Sequence, residues 1–187
     1  APRQREVYAN AEHAAAARAG RDVGREGIGL CRPGQWFFGA ARIKAMRGRI
    51  VARDVEARKK ALAKILPFQQ GDLEGIFEVM GERPVVIRFL DPPLHEFTPK
   101  DEAGVQELSK VAKMPVEKVR ARIEQLHESN PMLGHRGCRL CLTYPEILEM
   151  QVTAIIQAAV KVAKAGQKVY TEIMIPLTLA QKAFEIP

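Results

Sequence analysis

The chain has 187 residues, 47% hydrophobic, 6% aromatic and 27% charged, with a formal net charge of +7. That length and apolar share support one domain with a real core, and they exclude a disordered chain or a disulfide scaffold. Three cysteines and no signal peptide predict a reducing, cytoplasmic setting.

No apolar run approaches the roughly 18 residues of a membrane span. The basic residues are spread along stretches such as Arg42–Lys64 with few interleaved aromatics, which argues against nucleic acid. A positive balance suits a partner bearing phosphate or carboxylate. The sequence opens at Ala1-Pro2-Arg3 without Met and stops at Ile186-Pro187 soon after an apolar segment, so it reads as a piece of something longer.

Short extended runs alternate with longer helical ones. Glu6–Asn10 predicts a strand, followed by an alanine-rich helix over Ala11–Val23 closed by Gly24. A second strand falls at Gly27–Cys31. Ile43–Leu66 and Gln70–Met80 read as two helices separated at Pro67. Pro84–Leu90 is extended, and Asp91–Glu102, rich in proline, reads as a long loop. Asp101–Lys113 leads to a second helix opening at Pro115, where proline suits the first helical position. Met132–Arg139 predicts another strand. Pro145–Ala165 follows as a helix with Ile147, Leu148, Val152, Ile155, Ile156, Ala159 and Val162 in helical period, ending at Gly166; Tyr170–Leu177 is the last strand.

Such alternation means an α/β fold with parallel strands and right-handed crossovers. A doubly wound sheet normally carries a glycine-rich phosphate loop after its first strand, and VYANAE stands there instead. The placement of the arginines favours a barrel. By period two, Ile28, Leu30 and Arg32 share a face, as do Val86 and Arg88, and Gly134, Arg136 and Cys138. Each arginine falls at or near a strand's carboxyl end, where barrel active sites sit. Guanidiniums gathered there repel one another unless an anion lies between them, and their forks fit phosphate and carboxylate oxygens. The competing reading pairs each with a nearby acid: Arg32 with Glu26, Arg88 with Asp91 and Arg136 with Glu146.

The segments EGIGLCR, LPFQQGDLEGIFEVM, VVIRFLDPPLHEF, NPMLGHRGCRL…TYPEI and EIMIPL resemble the carboxyl-terminal barrel of the pyruvate, phosphate dikinase family of phosphoenolpyruvate-utilising enzymes. The likeness runs from VYANAE to MIPL. DPPLHEF and GHRGCRL set this family apart from phosphoenolpyruvate synthase and the phosphotransferase-system enzyme I. The resemblance implies a partial (β/α)8 TIM-type barrel, roughly the first five of eight units, filling residues 1–187 as one domain truncated on its carboxyl-terminal side. It implies binding of phosphoenolpyruvate and pyruvate, with phosphoryl transfer from a phosphohistidine to pyruvate. Across the whole enzyme, ATP, phosphate and pyruvate become AMP, diphosphate and phosphoenolpyruvate.

Arg32 and Arg88 match the family's substrate-binding arginines, and Arg136 the third arginine of the pocket. Asp91 is placed to orient a guanidinium. His95 and Glu96 read as loop structure, and His135 as a packing or hydrogen-bonding residue on the opposite strand face. The resemblance further implies Mg2+ with ligands outside this chain, a phosphohistidine domain and an ATP-binding domain on the same polypeptide, and a homodimer at full length. No catalytic residue is assigned within the chain, because the proton-donor cysteine and the phosphohistidine lie elsewhere in the family. The alternatives are a non-catalytic module that keeps the fold and a relative resembling phosphoenolpyruvate synthase.

Two departures stand out. After Cys31-Arg32 the family usually continues Thr-Glu-His-Met-Phe-Phe, and this chain has Pro33-Gly34-Gln35-Trp36-Phe37-Phe38, which predicts a looser hold on Arg32. Tyr8 stands where the family commonly has arginine. The pair Cys138 and Cys141 raises a redox or zinc reading, with Cys31 and His135 as further ligands. Strand parity sets the two on opposite faces, and the family normally has glycine at position 141, so this reading is disfavoured.

Overall fold

The computed structural model describes residues 5–32, 42–43, 55–112, 114–127, 130, 134–178 and 181. The Pro33–Phe38 departure, with Trp36, lies outside them. The elements in chain order are β1 (Tyr8–Asn10), α1 (Ala14–Asp22), β2 (Gly27–Cys31), α2 (Val55–Met80), β3 (Pro84–Arg88), a 3-10 turn at Leu94–Phe97, α3 (Glu102–Ala112), α4 (Val116–Leu126), α5 (Cys138–Thr143), α6 (Pro145–Lys164) and β4 (Tyr170–Met174).

The four strands form one sheet, parallel throughout and ordered β1-β2-β3-β4. Each new strand adds beside the last, without the reversal of order that marks a doubly wound sheet. The architecture is therefore α/β, a parallel sheet with helices between successive strands.

β3 alternates cleanly. Val85 and Ile87 are buried, while Pro84, Val86 and Arg88 are half-buried, so Val86 and Arg88 share a face as their spacing predicts. The buried face packs against Leu73, Ile76 and Phe77 of α2 and Ala154, Ile155, Ala158 and Val162 of α6. β2 corrects the parity expected of it. Ile28 pairs with Val85 and Cys31 with Ile87, so β2 spends one residue more than β3 over the same span. This bulge brings both Ile28 and Cys31 into the core. Ile28 and Arg32 therefore do not share a face.

Pro67 does not separate two helices. α2 runs unbroken from Val55 to Met80 with Pro67 inside it. Leu62, Ile65, Gln69, Leu73, Ile76 and Met80 are buried in helical spacing on both sides of an exposed proline. A continuous packed stripe thus outweighs the local loss of one backbone hydrogen bond.

The predicted strand at Met132–Arg139, whose first two residues lie outside the described ones, is a third correction. Gly134–Gly137 is irregular and Cys138 opens the short helix α5. Gly137 caps that helix at φ 58°, ψ −133°, a conformation that only glycine adopts easily. In α6 the buried side is set by Ile147, Met150, Gln151, Ala154, Ile155, Ala158 and Val162, while Ile156 is exposed. The true stripe is rotated from the expected one. Beyond the sheet, α3 and α4 form a hairpin with a small core of their own, Val105, Leu108 and Val119.

Candidate functional site

The site is built where β3 ends. Phe89 N–H donates to Met174 O of β4 at 3.0 Å, the last step of the ladder. Leu90 buries its side chain fully among Leu62, Ile65, Phe97, Leu140, Ile147 and Met150. Its N–H donates to Oε1 of Gln151, reaching down from α6, at 2.9 Å. The next residue is Asp91, 6% exposed.

Asp91 gathers two guanidiniums. Arg136 donates from Nη2 to Oδ2 at 2.6 Å and from Nε to Oδ1 at 3.2 Å, a forked pair. Arg88 lies 3.3 Å from Oδ2 through Nη1. Two guanidiniums thus share one carboxylate, at side chains only 8–22% exposed. Among the described residues, Nε of Arg88 is buried with no hydrogen-bond partner, and so is Nε of Arg32. Buried guanidinium donors left without a partner are what an anion would satisfy.

Arg32 stands at the end of β2, the strand next to β3, and pairs with Glu12 at 3.0 Å. Glu26, the acid nearest it in sequence, instead accepts Val7 N–H at 2.8 Å. Arg88 does pair with Asp91. Arg136 does not pair with Glu146, which is held by Arg58, whose guanidinium also lies 5.2 Å above the Tyr144 ring. Thus Asp91 brings Arg88 and Arg136 together, while Arg32 keeps a separate partner one strand away.

Gly137 explains how Arg136 arrives without a strand. A Cβ there would meet Pro176 O at 2.9 Å and Asp91 Oδ1 at 3.3 Å. Cys138 N–H donates to Pro176 O at 2.8 Å. The bare glycine lets the loop after β4 press against the Arg136 turn and holds that arginine over Asp91.

Cys138 and Cys141 lie three apart on a helix, hence toward one side, which corrects the strand-parity argument. Both are buried. Burial first, then the Cys138 neighbour, pushes the Cys141 thiol up to about 11. Burial, with Glu12 and Asp72 adding to it, pushes Cys31 up to about 12. Such thiols stay protonated and unreactive near neutral pH. Among the described residues no three His, Cys, Asp or Glu side chains come close enough to hold a metal. His135 hydrogen-bonds through Nε2 with Thr143 Oγ1 at 2.9 Å and stacks against Tyr144. His95 and Glu96 sit in the 3-10 turn.

Sequence reasoning missed Glu12 and Gln151. Glu12 follows β1 directly, and strand adjacency would have found it. Gln151 is a glutamine inside an apolar helical stripe, which is itself the signal.

Residues 2–185 match the family model for the PEP-utilising enzyme, PEP-binding domain. The chain belongs to this family of phosphoenolpyruvate-utilising enzymes. It is 51% identical over 178 residues to the pyruvate, phosphate dikinase of Rhizobium meliloti (strain 1021), covering 95% of this chain and 20% of that protein. It is 47% identical over 161 residues to the Clostridium symbiosum enzyme of the same name, covering 86% and 18%. It is 51% identical over 174 residues to the chloroplastic one of Mesembryanthemum crystallinum, covering 91% and 18%. The chain thus spans about a fifth of the length of these relatives. No helix among the described residues is long and apolar enough to cross a membrane.

Proposed function

We propose that this chain is the phosphoenolpyruvate- and pyruvate-holding part of a dikinase-type phosphotransferase, folded as the first units of a (β/α)8 barrel. The observation that carries the reading is the Arg88–Asp91–Arg136 arrangement at the carboxyl end of β3, two guanidiniums on one carboxylate, with the buried Nε of Arg88 that has no hydrogen-bond partner among the described residues. The sequential parallel order β1-β2-β3-β4 supports the barrel. The names of the relatives support the dikinase.

In this reading Arg88 and Arg136 grip the phosphoryl oxygens and Arg32 closes from the neighbouring strand. Phosphoryl transfer needs little covalent help from a protein; it needs positioning and fixed positive charge where negative charge spreads in the transition state. Asp91 supplies the positioning. It sets both forks before substrate arrives, so that less reorganisation is needed on binding.

The described residues do not by themselves form a magnesium site, and no step proposed here runs through the metal. The phosphohistidine, the ATP-binding part, the metal ligands and the methyl-group proton donor are assigned to other parts of a complete dikinase, which we take to act as a homodimer.

The test is Arg88→Ala in the complete polypeptide that contains these residues. Transfer between phosphohistidine and pyruvate should fall about 10²–10³-fold, the loss typical of one transition-state donor. ATP-dependent histidine phosphorylation should persist. Equal damage to both half-reactions contradicts the reading, an unchanged pyruvate half-reaction removes Arg88 from the grip, and a parent polypeptide with no pyruvate half-reaction at all points instead to a non-catalytic module.

A further inference from the structure

Gln151 is a buried polar residue that the grip itself does not use. It is 0% exposed, on the face of α6 that packs against the sheet and α2. Its Oε1 accepts the Leu90 N–H at 2.9 Å, while its Nε2 is buried with no partner. A core amide with half its hydrogen-bonding capacity unmet is costly. What this one supplies is therefore the acceptor oxygen, and its position tells why.

Phe89 makes the last ladder bond to β4. One residue further, the backbone turns out of the sheet, and among the described residues Leu90 N–H has only Gln151. The Leu90 side chain is locked in a fully buried cluster. With side chain and N–H both fixed, the Cα–C bond into Asp91 leaves in a set direction. That direction decides where the carboxylate meets Arg88 and Arg136. The amide sits one residue behind the carboxylate and has no other bond among the described residues.

We propose that Gln151 is a positioning residue for substrate binding: it pins the Leu90–Asp91 corner and so sets the geometry of the two guanidiniums. This rests on the reading of Arg88 and Arg136 as a phosphoenolpyruvate grip.

The test uses the complete polypeptide, with phosphoenolpyruvate and magnesium, by titration calorimetry. Gln151→Met keeps the length and removes the acceptor, and should weaken Kd about tenfold, the equivalent of one hydrogen bond. Gln151→Glu keeps an oxygen at the same place and should recover affinity to within about threefold of the unaltered protein. Ile155→Val, on the same buried face, should lower thermal stability and leave Kd unchanged. Equal weakening by Met and Glu overturns the inference, because the acceptor would then be irrelevant.

Arg88→Ala and Arg136→Ala separate the two claims. If they abolish binding while Gln151→Met binds normally, only the positioning role falls. If they bind normally, the substrate reading falls first. Hydrogen exchange of the unaltered polypeptide stands in if the Met variant does not fold. The Leu90 amide should exchange as slowly as those of β3, and exchange at a loop rate overturns the proposal.

Discussion

The two arginine arrangements at adjacent strand ends are built on different terms. Arg88 and Arg136 share a carboxylate whose side chain is 8% exposed, fixed through its neighbour Leu90 to the core. Arg32 faces Glu12 in a pair whose side chains are 39% and 28% exposed, beyond a bulge in β2. In the first, charges held largely out of water keep their geometry, and removing Asp91 takes away the carboxylate that both guanidiniums share. In the second, water screens the attraction more fully. The difference separates a preset cradle from an adjustable arm. Under the proposed function, an arriving anion finds the first in place and draws the second in.

The comparison breaks most severely at Asp91. Asp91→Ala leaves two guanidiniums close together in a largely buried site without the carboxylate they share. Loss of one partner from a buried ion cluster costs about 3 kcal/mol. Urea unfolding should show that loss, and phosphoenolpyruvate should bind far more weakly. Added phosphate should restore part of the stability by standing in for the carboxylate. A variant as stable as the parent would mean that the arginines were never held by Asp91.

Gly137→Ala is the next step down. The new methyl would press on Pro176 O at 2.9 Å and Asp91 Oδ1 at 3.3 Å, from a backbone at φ 58°. A side chain in that region costs about 2 kcal/mol. Relief requires moving either the loop after β4 or the Arg136 turn. Thermal unfolding should therefore shift down, and substrate affinity should fall with it. A stability loss without an affinity loss would assign the strain to the β4 loop alone.

How much of this was legible follows from which forces act locally. β2 and β3 were readable to within two residues because apolar, β-branched runs stand between glycine or proline boundaries. The Met132–Arg139 strand was misread because small and apolar residues there alternate as in a strand. The backbone at Gly137 is dictated by Pro176, some 40 residues on, and no local pattern carries that. Pro67 misled for the mirror reason: its local cost is visible, and the packing stripe that overrides it is tertiary. The Arg88–Asp91 pair is legible because the two lie three residues apart. Glu12 was missed for Glu26, since β1 lying beside β2 brings a residue 20 positions away closer to Arg32 than one six positions away.

The smallest expected effect tests the adjustable arm. Glu12→Gln removes the charge opposite Arg32 and keeps the shape. For a pair this exposed the stability change should stay within about 1 kcal/mol, and unfolding curves would register it weakly. Affinity responds in the other direction. With its competing carboxylate gone, Arg32 is released toward the anion, so phosphoenolpyruvate should bind slightly tighter, by about threefold, at low salt. The gain should shrink as salt rises, because the removed attraction was itself screened. Salt titrations of both proteins by calorimetry check this. A loss of affinity would place Glu12 with Asp91 as a positioning acid, and the contrast between cradle and arm would dissolve.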